Sequence, residues 1–281
     1  MDNFDLYEWD SNDIDDFDNT KTGVNMNRQP IKTPDISNIM TQLKRRAMIV
    51  ILVIDVSGSM RKQRIGAVND AIRNLIPELQ KRERSNTSAE IKLAILEFSS
   101  EAHWRTAEPV PVSRFRYEDI TDVSGGTNYG TAFEELNKKM NERQFFNATA
   151  GAYAPLIIFM TDGKPTDVGI YPDELEKLKR NKWFQISTRA GIAIAEGALS
   201  EKCKEALVKF TENADNIYDA KDTALLAKQI QLVTLTGVDF VAQKGSVQHQ
   251  APQAQTKKGV SSSASPTLPI DKIDVAGHFG F

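Results

Sequence analysis

The chain has 281 residues, 40% of them apolar and 26% charged, which is material for one or two globular domains with a buried core. Its formal charge of −3 conceals an asymmetry, because eight acids and no base lie in residues 1–18 and the remainder is mildly basic. A lone cysteine, Cys203, excludes an intramolecular disulfide and a cysteine-based zinc site.

Residues 1–32 mix the acids with Phe4, Leu6, Tyr7, Trp9, Ile14 and Phe17 but show no sustained period, which predicts an acidic disordered tail. Its acidic start lacks the basic and apolar regions of a secretory signal, so a cytoplasmic location is expected. Thr33-Pro34-Asp35 offers a capping hydroxyl, a first-turn proline and an acid for the helix dipole, so residues 33–45 read as a short helix or linker. The basic clusters Lys44-Arg45-Arg46 and Arg61-Lys62-Gln63-Arg64 read as solvated helix faces, and nucleic-acid binding is not expected.

From Ala47 to Ile54 apolar residues occupy consecutive positions, the pattern of a parallel strand covered on both faces. This is the longest apolar run and falls short of the roughly twenty residues that cross a bilayer, so no membrane span is expected. The strand ends in Asp55-Val56-Ser57-Gly58-Ser59. Side chains at i, i+2 and i+4 of an extended segment share one side, so Asp55, Ser57 and Ser59 can converge. All three are hard oxygen donors of the kind that suits Mg²⁺ or Mn²⁺, and Gly58 allows a tight turn between the serines. Taken alone, the same pattern is ordinary turn composition.

Ile65, Val68, Ile72, Leu75, Ile76 and Leu79 predict a helix over 64–82, which Pro77 should kink or shorten. Residues 91–98 alternate as a second strand, and 104–112 follow as an antiparallel edge segment. A glycine-rich loop, Ser124-Gly125-Gly126-Thr127-Asn128, precedes a helix over 129–143 and a loop over 144–154. Leu156 to Met160 repeats the apolar strand and leads into Thr161-Asp162-Gly163. Beyond it the patterning predicts helices at 172–183, 201–210 and 223–235 and strands at 189–195 and 216–219. Regular alternation of this kind specifies an α/β fold, a doubly wound and mostly parallel Rossmann-like sheet with one antiparallel edge strand. Ligand sites in such sheets lie at the carboxyl ends of the strands, where Asp55 and Asp162 fall. The domain is expected over 46–238. Residues 239–281, rich in Gln, Ser, Ala, Lys and Pro, read as a flexible tail whose apolar end is either frayed or a partner-docking peptide.

Taken together, the three pieces around Asp55, Thr127 and Asp162 resemble the von Willebrand factor A (VWA) domain with its metal-ion-dependent adhesion site. That family's Asp-x-Ser-x-Ser, Thr and Asp map onto Asp55, Ser57, Ser59, Thr127 and Asp162. The segments 66–72 and 161–167 are similar to the bacterial cytoplasmic branch that includes tellurite-resistance-associated proteins. The resemblance implies a Mg²⁺ site, Mn²⁺ being the alternative, that binds a protein partner through the partner's Glu or Asp in a stress, signalling or conflict system. A non-catalytic subunit of a kinase, phosphatase or AAA+ ATPase assembly is the second reading.

An enzyme is not expected. Haloacid-dehalogenase-like phosphatases place a second Asp two residues after the nucleophile, and here that position is Ser57. No nucleophile elbow or phosphate loop accompanies the acids, and His103, His249 and His278 lack motif partners. One further expectation concerns the tail: an acid among Asp10, Asp13, Asp15 and Asp16 occupies the site of its own or a neighbouring molecule, set against the plainer reading of a solubilising or separately docking segment.

Overall fold

A computed structural model describes residues 45–86, 88–142, 145–146, 151–194, 200–247 and 264–270. The expected acidic tail and the helix or linker at 33–45 lie outside these residues, apart from Arg45.

The consecutive apolar residues of β1 (Arg46–Asp55) place it at the centre of a seven-stranded sheet, with all but the first residue buried. It pairs in parallel with β2 (Ala89–Phe98) on one side, while β3 (Ala102–Trp104) and β4 (Val110–Pro111) close that edge antiparallel to β2. The expected edge segment is thus present as two short pieces. On the other side β5 (Leu156–Thr161), β6 (Thr188–Ile194) and β7 (Ile217–Ala220) continue the parallel order.

Alternation along β1 divides the core into two layers. Met48, Val50, Leu52 and Ile54 pack on the face covered by α1 (Gln63–Ser85), while Ala47, Ile49, Ile51 and Val53 pack on the face covered by α2 (Tyr129–Asn141). The second layer is completed by α3 (Tyr171–Lys179), α4 (Lys182–Ile186) and α5 (Glu201–Thr211), and the first by α6 (Thr223–Val247). Each fully buried Leu or Ile contributes about 1.5–3 kcal/mol, so the two layers anchor β1 from both faces. Its last residue, Asp55, is thereby held rigidly at the carboxyl edge.

The structure corrects several expectations. Pro77 does not shorten α1, which runs through it for 23 residues. Leu75, Ile76 and Leu79 around it are buried against the sheet, and that packing outweighs the missing amide hydrogen bond. The single helix expected over 172–183 is two, because the Asn181 side chain accepts from the amides of Trp183 and Phe184 and starts α4 afresh. The closing helix continues to Val247 instead of stopping at Leu235. Gly237 lies where α6 approaches β5, since a Cβ there would stand 2.7 Å from a methyl of Leu156. Within α6 the stretch Leu225–Gly245 is long and apolar enough to cross a membrane, contrary to expectation; here Leu226, Ile230, Val233, Val238 and Val241 face the core.

The tail assigned to 239–281 also changes. Besides the end of α6, residues 264–270 lie on the amino ends of β6 and β7, opposite the Asp55 edge, with Ser265 and Leu268 buried. Polar contacts make this strap: Ser265 Oγ accepts from the Arg189 amide at 2.8 Å, and Asn216 donates to the Pro266 carbonyl at 2.8 Å while accepting from the Leu268 amide at 2.9 Å. Composition reads such a segment as linker because no apolar period marks it. Replacing the buried Asn216 with Ala strands these groups, and equilibrium urea unfolding should show a loss of about 1–3 kcal/mol with faster hydrogen exchange at Leu268.

Candidate metal centre

Asp55 is completely buried, and both of its oxygens are engaged. Oδ1 accepts from the Ser57 amide at 2.8 Å, which folds the chain back as it leaves β1; Oδ2 accepts from the Thr161 hydroxyl at 2.6 Å across the β1–β5 pair. Despite these bonds, burial pushes the Asp55 carboxyl up to about 6. Ser57 Oγ lies 3.1 Å from Ser59 Oγ, and Ser59 Oγ donates to Asp162 Oδ1 at 2.7 Å. The Asp162 side chain is itself buried, and its other oxygen receives Nη1 of Arg64 at 2.5 Å. Four of the five residues singled out by sequence therefore form one connected patch of oxygen atoms.

Thr127, the fifth, reaches the same place through loop packing. Its hydroxyl lies within 3.4 Å of where a Cβ on Gly163 would stand, so it adjoins the turn that carries Asp162. The loops are tied by main-chain bonds: Gly58 donates to the Gly125 carbonyl at 3.1 Å and Ser124 to the Val56 carbonyl at 2.9 Å. Gly125 has a φ of +84°, and a Cβ there would meet Ser100 Oγ at 2.7 Å, so glycine is required. Lys62, between the serine loop and α1, has a φ of 65° despite its side chain, and backbone strain of this kind gathers at functional loops.

Three contributors were not identified from sequence. Thr161 is the last residue of β5, and its hydroxyl serves Asp55. Asp167 accepts from the amides of Tyr129 and Gly130 at 3.1 and 2.7 Å and so caps α2, fixing the helix that follows Thr127. Arg64, read as part of a solvated basic cluster, sits on Asp162. A strand-ending hydroxyl and an acid after a turn were visible signals for the first two, but nothing local reported the third, whose partner is 98 positions away. Lys164 is exposed; Asp119 and Asp122 lie in irregular chain ahead of the Thr127 loop, with Asp119 paired to Arg73. His103 is an exposed edge residue beside Glu101, and His249 and His278 lie outside the described residues.

The donor set is two carboxylates and three hydroxyls, all oxygen, and among the described residues no trio of His, Cys, Asp or Glu competes as a metal cluster. Such a set fits a hard divalent cation, whose charge would offset the two acids.

A family model for the von Willebrand factor type A domain matches residues 50–232. Among curated proteins, the pig (Sus scrofa) inter-alpha-trypsin inhibitor heavy chain H4 is 30% identical over 136 residues, covering 46% of this chain and 14% of that protein. Among solved structures, proximal thread matrix protein 1 of the mussel byssus, described with a zinc-occupied MIDAS motif, superposes with a TM-score of 0.50 at 18% identity, over 67% of this chain and 47% of that one. The pilus adhesin SpaC of Lactobacillus rhamnosus GG gives 0.53 at 14% identity, over 71% and 31%. At these identities the structural likeness concerns the fold, and the chain spans less than half of each of these relatives.

The raised carboxyl of Asp55 has a consequence for stability. Folded Asp55 binds its proton up to about pH 6, whereas an unfolded aspartate loses it near 3.8. The folded state therefore loses stability as pH rises through that window and carries the full cost of the buried charge above it. In metal-free protein Asp55→Asn, which keeps the shape, can accept from the Ser57 amide through Oδ1 and can donate through Nδ2 to a reoriented Thr161 hydroxyl, should stabilise by roughly 1–3 kcal/mol at pH 7.5 and by almost nothing at pH 4. Thermal melts in chelator at the two pH values measure this, and equal melting of variant and wild type at pH 7.5 would contradict it.

Proposed function

The chain belongs to the von Willebrand factor type A family, and on that premise we propose that it is a metal-dependent protein-binding module whose ion is held by Asp55, Ser57, Ser59, Thr127 and Asp162. Domains of this family are typically metal-dependent interaction modules. The observation that carries the reading is the buried pair of acids, Asp55 and Asp162, joined through Ser57 and Ser59 at the carboxyl edge of the sheet. Two acids at the carboxyl edge of the sheet would offset a divalent charge, and with three neutral oxygens they make a donor set one short of octahedral. When bound, Mg²⁺ or Mn²⁺ supplies a Lewis-acid position for an incoming carboxylate. The chain's own residues do the rest: Thr161 and the Ser57 amide orient Asp55, and the Asp167 cap on α2 steadies the Thr127 loop.

The partner we propose is a protein that contributes a Glu or Asp to this position. The likeness of residues 66–72 and 161–167 to the cytoplasmic tellurite-resistance-associated branch favours a bacterial intracellular stress or signalling setting. The chemistry favours binding over turnover. Ser57 stands where a phosphatase of the haloacid type needs its proton-donating Asp, and Asp55 is engaged by two hydrogen bonds, which disfavours it as a base toward water.

Calorimetry with Mg²⁺ and Mn²⁺ should give one saturable site in the wild type and none in Asp55→Ala, while circular dichroism shows both proteins folded. Undiminished affinity in the variant would remove the assignment. Phosphomonoester and nucleotide hydrolysis by the wild type should match the Asp55→Ala control.

A further inference from the structure

We propose that Arg64 is a built-in competitor for the metal, its guanidinium neutralising Asp162 until a divalent ion displaces it, so that this one side chain sets the affinity of the site. The inference rests on the metal-binding reading above and adds a determinant to it.

Arg64 lies in the first turn of α1, which contains no acid. The partial positive charge of a helix amino terminus makes this an unfavourable place for a cation, so a compensating anion must hold it there. Asp162 provides such an anion. Nη1 of Arg64 donates to Asp162 Oδ2 at 2.5 Å and to the Ser59 carbonyl at 3.0 Å, bridging the serine loop and the β5 loop. With Ser59 Oγ on Oδ1, both oxygens of this buried carboxylate are engaged, one by a neutral hydroxyl and one by a full positive charge.

A divalent ion drawing on Asp162 would share that carboxylate with the guanidinium. Two cations on one carboxylate repel, and arginine cannot relieve the repulsion by losing a proton, since its guanidinium stays charged throughout the working pH range. The outcome is exchange of one cation for the other. Arg64 has the means to leave, because its side chain is 25% exposed whereas that of Asp162 is fully buried. The metal-free protein therefore keeps a charge-compensated Asp162, and binding of the ion includes the cost of releasing the arginine.

The test is calorimetry of Mn²⁺ binding to the full chain at fixed ionic strength, comparing wild type with Arg64→Gln, Arg64→Leu and Arg64→Lys; thermal melting identifies the folded variants, and either neutral one suffices. Removing the charge should tighten Mn²⁺ binding by about tenfold or more, while Arg64→Lys, which keeps it, should stay within about threefold of wild type. Tight binding by a neutral variant with no detectable binding by wild type would also support the proposal. Saturable binding of equal or lower affinity in the neutral variants would overturn it and leave the metal reading standing. Absence of binding in every protein would overturn both.

Discussion

The site depends on the burial of negative charge at one end of a sheet. Asp55 ends β1 and Asp162 follows its parallel neighbour β5, and both side chains are out of contact with water. An unpaired buried carboxylate is expensive; Asp55 has hydrogen bonds but, among the described residues, no ion pair with Lys or Arg, and burial holds its proton up to about pH 6. Asp162 takes the other solution and pairs with Arg64. The two acids thus differ in electrostatic state, one short of positive charge and one supplied with it. A divalent ion held by these residues would offset the first deficit and, on the proposal made above, would compete with the second supply.

Everything around the acids serves to keep them from relaxing. Nine consecutive buried residues fix β1 between two helical layers, so Asp55 cannot withdraw toward solvent without moving the centre of the core. The three loops are stitched by main-chain hydrogen bonds and by the Asp167 cap, which couples the turn after Asp162 to the helix after Thr127. Rigid oxygen donors from three separate segments are what a small cation with strict geometric demands requires, and a parallel sheet supplies them because all its central strands end on the same edge. The opposite edge is closed by the strap at 264–270, whose contacts with Arg189 and Asn216 involve none of the site residues.

Local pattern made the fold class legible and left its long-range polar details hidden. The unbroken apolar run of β1, the alternation of strands and helices, and an acid after each of two apolar strands are properties of short windows. The pairing of Arg64 with Asp162 and the capping of α2 by Asp167 are properties of the folded chain, and a basic cluster or a turn acid has the same local appearance whether it faces water or a distant partner. Two of the three helix corrections have the same origin. Pro77 weakens a helix that packing then restores, and Gly237 resembles a stop although its missing side chain is what admits α6 to β5. The strap escaped because side-chain amides and hydroxyls hold it, and those leave no period in the sequence.

Anomalous diffraction from crystals of the full chain grown with Mn²⁺ tests the central claim most directly. The account predicts a single strong peak bounded by the oxygens of Asp55, Ser57, Ser59, Thr127 and Asp162, with the Arg64 guanidinium moved off Asp162. A map with no peak there, in crystals that leave this edge open to solvent, and with Arg64 still seated on Asp162 at saturating Mn²⁺, would contradict it.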